Sequence, residues 1–227
     1  MNDKKDTIIS LLGKKSVTKQ VVYHNTLNVF NELKSVIEEL SQHLKQNIKN
    51  FEKEVKIGYK DKGLFEAELT FGGDALIFSM HTNVFHFSKD HAIYENEYVK
   101  SNQDMAYCGV IHIYNFLADS LKYNRQFDSG HLIGRIFINK EYGFFIEGKH
   151  QLGFNFQQFG KQNIGRNELN DITQSAIIYT LNFDLITQPY GSVQDITVLE
   201  KIQQAGLTAI KTSKRMGFRF NAESSGK

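Results

Sequence analysis

Ala106–Leu121 reads AYCGVIHIYNFLADSL, and His131–Leu152 reads HLIGRIFINKEYGFFIEGKHQL. In the second stretch Leu132, Gly134, Ile136 and Ile138 fall on one face of an extended chain, with Ile133, Arg135, Phe137 and Asn139 on the other. The residues after Gly143 are aromatic or β-branched, the types a pleated, half-buried surface favours. Asn139-Lys140-Glu141-Tyr142-Gly143 separates the two runs and predicts a hairpin inside an antiparallel sheet. Tyr107–Leu117 is its neighbouring strand, reached through the polar connection Tyr123–Gly130.

Upstream of this centre the period of two persists. Val55, Ile57 and Tyr59 alternate with charged residues up to a turn at Asp61-Lys62-Gly63. Phe65, Ala67, Leu69 and Phe71 follow, with Glu66, Glu68 and Thr70 opposite, and Gly72-Gly73-Asp74 is a second tight turn. Ala75–Phe87 reads as one long, bent strand. Ser88–Gln103 interrupts the pattern with Lys89-Asp90-His91, Glu95-Asn96-Glu97 and the turn-like Ser101-Asn102-Gln103-Asp104. This insert is expected at the surface, as a loop or short helix that is more mobile than the flanking strands.

Before the strands the period is helical. Leu27, Phe30, Leu33, Ile37, Leu40, Leu44, Ile48 and Phe51 recur every three or four residues. A helix from Asn25 to Phe51 is about 40 Å long. Its heptad-like seam either covers the protein's own sheet or pairs with a second copy. Residues 1–15 read as weakly ordered. After the hairpin, Leu152, Phe154 and Phe156 extend the sheet up to Gly160–Gly165. Asn167 then caps a helix with Leu169, Ile172, Ala176, Tyr179 and Phe183 on one face. Pro189-Tyr190-Gly191 stops it, and Ile196, Leu199, Ile202, Gly206 and Ile210 mark a second. Residues 211–227 form a basic tail, with a short aromatic strand at Phe218 and Phe220. Helix, strands, helices in that order predict an α+β fold. It is an antiparallel meander of six or seven strands under a long N-terminal helix and two C-terminal helices. Nothing in this order forces a boundary within residues 1–227.

The composition is ordinary for a globular chain: 41% hydrophobic and 23% charged, with 18 Phe, 10 Tyr, one Pro and no Trp. The single cysteine, Cys108, excludes an internal disulfide and a multi-cysteine zinc site. Ile8, Ile9, Leu11 and Leu12 are too few, and too soon broken by Gly13-Lys14-Lys15, for a secretory signal. No run reaches the roughly 20 apolar residues of a membrane helix. The expectation is a soluble, cytoplasmic protein without a membrane span. The net charge of +2 is uneven: residues 1–20 carry five lysines against two aspartates, and residues 211–227 five cations against one glutamate, so the middle is acidic. Basic ends attract nucleic acid or anionic lipid, and termini also tolerate charge simply because they are solvated.

Catalytic patterns are missing. His81 and His86, five residues apart, fall on opposite faces of a strand. No HExxH or His-x-His pair exists, so no metal site is expected. Glu66 and Glu68 sit about 7 Å apart on one strand face, near the spacing of a glycosidase pair, but a solvated strand face has the same alternation. Cys108 lies in an apolar strand, as small buried cysteines do. Ser129-Gly130-His131 lacks the first glycine of a nucleophile elbow, and neither GxxxxGK[ST] nor GxGxxG precedes a helix. Lys140, Tyr142, Gly143 and Phe144 resemble the aromatic RNA-contact motif of RNA-recognition domains, which departs here at Glu141 and Glu147 and lacks the βαββαβ order. Rings so placed are expected to pair across strands.

These observations point to a binding or scaffolding protein without a recognisable catalytic motif, homodimeric through its N-terminal helix. The alternative is a small-molecule-binding protein or enzyme with an apolar pocket between a curved sheet and that helix. The candidate ligand residues are His86, His91, Glu95 and Tyr98, at the end of the sheet where the insert leaves it, together with His112. No cofactor is expected. A second copy, a small molecule and, through the basic tail, nucleic acid are the partners this reading allows.

Overall fold

The computed structural model describes residues 3–48, 55–148, 159–184, 189–192, 194–195 and 197–199. It opens with helix α1 (Asp3–Leu11), which runs through a widened π turn (Leu12–Ser16) into α2 (Val17–Asn47). Strands β1 (Ile57–Asp61), β2 (Glu66–Phe71) and β3 (Asp74–Met80) form a meander. A short strand β4 (Phe85–His86) precedes the insert, which holds helix α3 (Glu97–Ser101) between two 3-10 turns. Then come β5 (Tyr107–Leu117), α4 (Ala118–Lys122), β6 (His131–Ile138), β7 (Phe144–Gly148) and α5 (Arg166–Leu181). The strands form one seven-stranded antiparallel sheet in the order β1-β2-β3-β5-β6-β7, with β4 beside β5. The α+β architecture expected from the sequence is therefore the one observed.

One face of the sheet lies under α2 and α5. Ala67, Leu69 and Phe71 of β2, Leu76, Phe78 and Met80 of β3, and Ile111 and Ile113 of β5 point to this side. Val29, Phe30, Leu33, Val36 and Ile37 of α2 meet them, as do Leu169, Ile172, Ala176 and Ile177 of α5. Phe30, Leu33 and Ile37 have no exposure at all, and each such side chain contributes about 1.5–3 kcal/mol by leaving water. Arg166 of α5 reaches both Glu32 and Glu39 on the outer face of α2 and ties the two helices together. Lys34 is buried too; its ammonium pairs with Asp61 of β1 at 2.8 Å and donates to the carbonyl of Gly63. Its charge is thus satisfied where an unpaired one would be costly. The hydrogen bond from Lys34, then the one from the Gly63 amide, hold the Asp61 carboxyl below its ordinary range.

The insert covers part of the other face. Ile93, Val99, Met105 and Ala106 pack with Cys108, Val110, Phe137, Phe145 and Phe159 in a second apolar cluster. The hairpin turn between β6 and β7 joins the two layers. Asn139 is fully buried, and its Oδ1 accepts from the amides of Glu141 and Gly143, both at 2.9 Å. Its Nδ2 donates to the Tyr98 hydroxyl of α3 at 3.1 Å. Asn25 of α2 donates to the Lys140 carbonyl at 2.8 Å. With the turn so pinned, Tyr142 adopts a left-handed backbone (φ 62°) that costs a non-glycine residue energy.

Several local expectations are corrected. The helix begins at Asp3 and ends at Asn47 rather than spanning Asn25–Phe51. The single long strand Ala75–Phe87 is two strands. At His81 the ring Nδ1 accepts from the Asn83 amide at 3.0 Å, a local turn that ends β3. A β-bulge between Ile113 and Tyr114 shifts the facing of β6, so Ile133 joins Ile136 and Ile138 in the core while Leu132 is exposed. The rings of the RNA-contact-like run pair inside the fold: Phe145 stacks on Phe137 at 4.8 Å, and Tyr142 and Phe144 pack on the main core. The cap of α5 is set by Gly165, whose amide donates to Glu168, rather than by Asn167. The extra strand at Leu152–Phe156 and the tail at 211–227 lie outside the described residues, as does nearly all of the second C-terminal helix.

Candidate functional site

The five residues singled out in the sequence do not converge. His86 lies opposite Tyr107 in β5, its ring 4.6 Å from that tyrosine, with the Tyr94 hydroxyl within 3.1 Å of its Nδ1. His91 caps the first 3-10 turn of the insert: its Nδ1 accepts from the Ile93 amide at 3.2 Å and its ring packs on Phe87. Glu95 stays exposed at the end of that turn. Tyr98 donates to Glu141 at 2.8 Å and packs edge-on against Phe159. Burial above all pushes its hydroxyl up to about 12; the Asn139 hydrogen bond works against this, and Glu141 adds to it. His91 and Tyr98 therefore tie the insert together. His112 stands five residues along β5 from Tyr107, about 16 Å at the strand rise.

His112 belongs instead to a polar row across the face opposite α2. Strand register aligns Glu66, Ser79, His112, Arg135 and Glu147 on five adjacent strands. All five are half-buried. Arg135 Nε donates to Glu147 Oε2 at 2.6 Å, and Nη2 reaches the same oxygen. The His81 ring lies 6.4 Å from His112 and Tyr114 lies 5.7 Å away. Burial first, then the charges of Arg135 and His81, hold the His112 imidazole below its ordinary value. It is neutral at neutral pH, a hydrogen-bonding group beside an arginine that Glu147 already engages. Cys108 is fully buried, and burial alone pushes its thiol far up, so it is no nucleophile. Among the described residues no three His, Cys, Asp or Glu side chains are grouped to hold a metal.

The row makes a pH prediction. The unfolded chain takes a proton on this histidine near pH 6.5, whereas the folded chain resists it. Acidification through about 6.5 therefore lowers stability, and the loss stops growing below the depressed folded value. His112→Gln is expected to flatten this part of the acid slope in urea midpoints measured from neutral pH downward. Equal slopes in the two proteins would show that His112 does not titrate differently on folding.

Two features were not singled out as sites in the sequence. Between the sheet and α2, Leu69, Phe78 and Ile111 have no exposure and pack in one core with Phe30, Leu33 and Ile37, so the space there is filled. Clefts lie elsewhere. One, of about 520 Å³, is lined by Lys19, Gln20 and Tyr23 of α2 and by Thr82, Asn83 and Val84 between β3 and β4. The second feature is the helical arm above that cleft. No residue of α1 or the π turn is buried. Ile8 (54%), Ile9 (67%), Leu11 (56%) and Leu12 (57%) are exposed, as are Val17 and Val21. No described helix is long and apolar enough to cross a membrane. Comparison of the chain with models of known families, with curated proteins and with solved structures finds no match.

Proposed function

We propose that this is a non-catalytic binding protein that works as a two-fold pair, each copy laying its N-terminal arm antiparallel on the arm of the other. The observation that carries this reading is the run of exposed Ile8, Ile9, Leu11 and Leu12 on a helix that continues into α2. After Val22 the helix covers its own sheet; before it the apolar residues cover nothing among the described residues. Unpartnered apolar side chains of this density mark an interaction surface.

Charge and shape favour a second antiparallel copy. In a parallel pair Lys14, Lys15 and Lys19 meet their own equivalents, which is unfavourable. An antiparallel pair centred near Leu12 brings Asp3 and Asp6 of one copy toward the lysine-rich end of the other. It also sets the two globular bodies at opposite ends of an arm about 28 Å long. The first turn of the second copy then falls beside Val21, over the cleft with Lys19 and Gln20 on its wall. A reducing, cytoplasmic setting is part of the same reading, with Cys108 kept as a thiol.

Light scattering across a dilution series is expected to give a mass twice that of the chain. A Leu11→Glu, Leu12→Glu double variant is expected to be monomeric with unchanged melting, because neither side chain is buried in its own fold. A wild-type protein that stays monomeric at every concentration ends this reading.

A further inference from the structure

A cleft of about 930 Å³ lies far from the arm, between the outer face of β1–β2 and the α4 segment. We propose that it binds a small molecule bearing phosphate groups. Its volume is within the range of about 300–1,000 Å³ typical of ligand sites. Cations stand on both walls: Lys56, Lys60 and Lys62 on the β1 side, Lys122 and Arg125 on the other. The lining acids are fewer, and two of them are already engaged. Glu68 is the register partner of Lys60, yet it pairs with Lys62 at 3.1 Å and accepts from the Thr70 hydroxyl at 3.3 Å. Asp128 accepts from Ser120 at 2.6 Å and faces Arg125 at 3.8 Å. Among the described residues Lys56, Lys60 and Lys122 have no carboxylate partner within ion-pair distance.

Local structure explains why the cations collect here. Alternation along β1 turns Lys60 away from the main core, because Ile57 and Tyr59 face it. The fold of residues 118–128 is fixed by the Arg125 amide donating to Ser120 at 2.8 Å and by the Ser120–Asp128 bond. Lys122 is held over the cleft by the Tyr123 hydroxyl at 2.7 Å. Phe116, Ala118 and Leu121 add an apolar part to the lining. Opposed cations at one end and apolar surface at the other suit a phosphorylated compound with an organic body, which a multiply charged anion bridging the two walls would anchor. This inference is independent of the arm.

The test uses the intact chain and inorganic pyrophosphate in calorimetric titration. Saturable single-site binding is expected. Lys60→Ala and Lys122→Ala should each weaken it at least tenfold with melting unchanged, because both side chains are exposed. Lys5→Ala, an equally basic position on the arm, should leave it unaltered. No binding by the wild-type, unchanged affinity in both cleft variants, or an equal loss with Lys5→Ala overturns the proposal. Two further probes separate the sources of phosphate. Vesicles containing phosphatidic acid and a single-stranded oligonucleotide are expected to be displaced by pyrophosphate if they bind at all. Binding of either that pyrophosphate does not compete away assigns the surface to lipid or nucleic acid and overturns the small-molecule reading.

Discussion

Phe30→Ala is expected to lower the unfolding free energy by about 3–5 kcal/mol, the range for removing a buried aromatic side chain from a core that relaxes only partly. Phe30 has no exposure and sits where α2 crosses the sheet. Its ring also lies 5.4 Å from the Lys34 ammonium, so truncation loosens the surroundings of a buried charge. Urea unfolding should show a lower midpoint with the same slope. Leu33→Asp, one turn on, buries a carboxylate without a partner and is expected to leave no folded protein. A Phe30→Ala loss below about 1 kcal/mol would mean that α2 is not seated as described.

Gly109→Ala is the second large effect. A Cβ added at Gly109 meets Thr26 Oγ1 at 2.1 Å, Thr26 Cβ at 2.8 Å and Cγ2 at 2.9 Å. The threonine cannot turn aside freely, because it is fully buried and donates to the Val22 carbonyl at 2.7 Å. The helix must therefore lift from β5, at about 1–3 kcal/mol or more for overpacking. Gly58→Ala is the control: nothing lies within 4 Å of its added Cβ, and the shorter list of unfolded conformations makes it neutral to slightly stabilising. Equal effects at the two positions would show that the contact of α2 with β5 is not close.

Where burial follows a simple period, the sequence reads directly into the fold. Ala67, Leu69 and Phe71 alternate into the core, and Phe30, Leu33 and Ile37 repeat onto it, because one surface dictates each pattern. The departures have local or distant causes. The bulge at Ile113/Tyr114 inserts a residue without a turn signal, so the facing of Leu132 and Ile133 reverses. The insert looks polar because Ile93, Val99 and Met105 are isolated in it; their burial is set by Phe137, Phe145 and Phe159, far along the chain. Residues 3–16 include Gly13 and β-branched Thr7, Ile8 and Ile9, poor helix formers. They are helical because α2 has already met the cost of nucleation and extension is easy.

The candidate sites follow the same division. His86, His91, Glu95, Tyr98 and His112 are visible in the sequence as polar residues near strand ends, but the face on which a side chain falls and its partners depend on register. Register is what sets His112 beside Arg135 rather than beside His86. The cationic cleft is built from β1 and the α4 segment, and no short motif spans both. The exposed arm carried a clue in Ile8, Ile9, Leu11 and Leu12. Their meaning depends on how far the sheet extends beneath the helix, which no local pattern encodes.

The pairing of the arms is tested most directly by oxidative cross-linking of Leu12→Cys. This position lies nearest the proposed two-fold axis, and the native Cys108 is buried and does not compete. A disulfide-linked dimer at near-complete yield is expected, with Gln46→Cys, exposed at the far end of α2, remaining monomeric. Cross-linking at Leu12→Cys no greater than at Gln46→Cys would contradict the pairing.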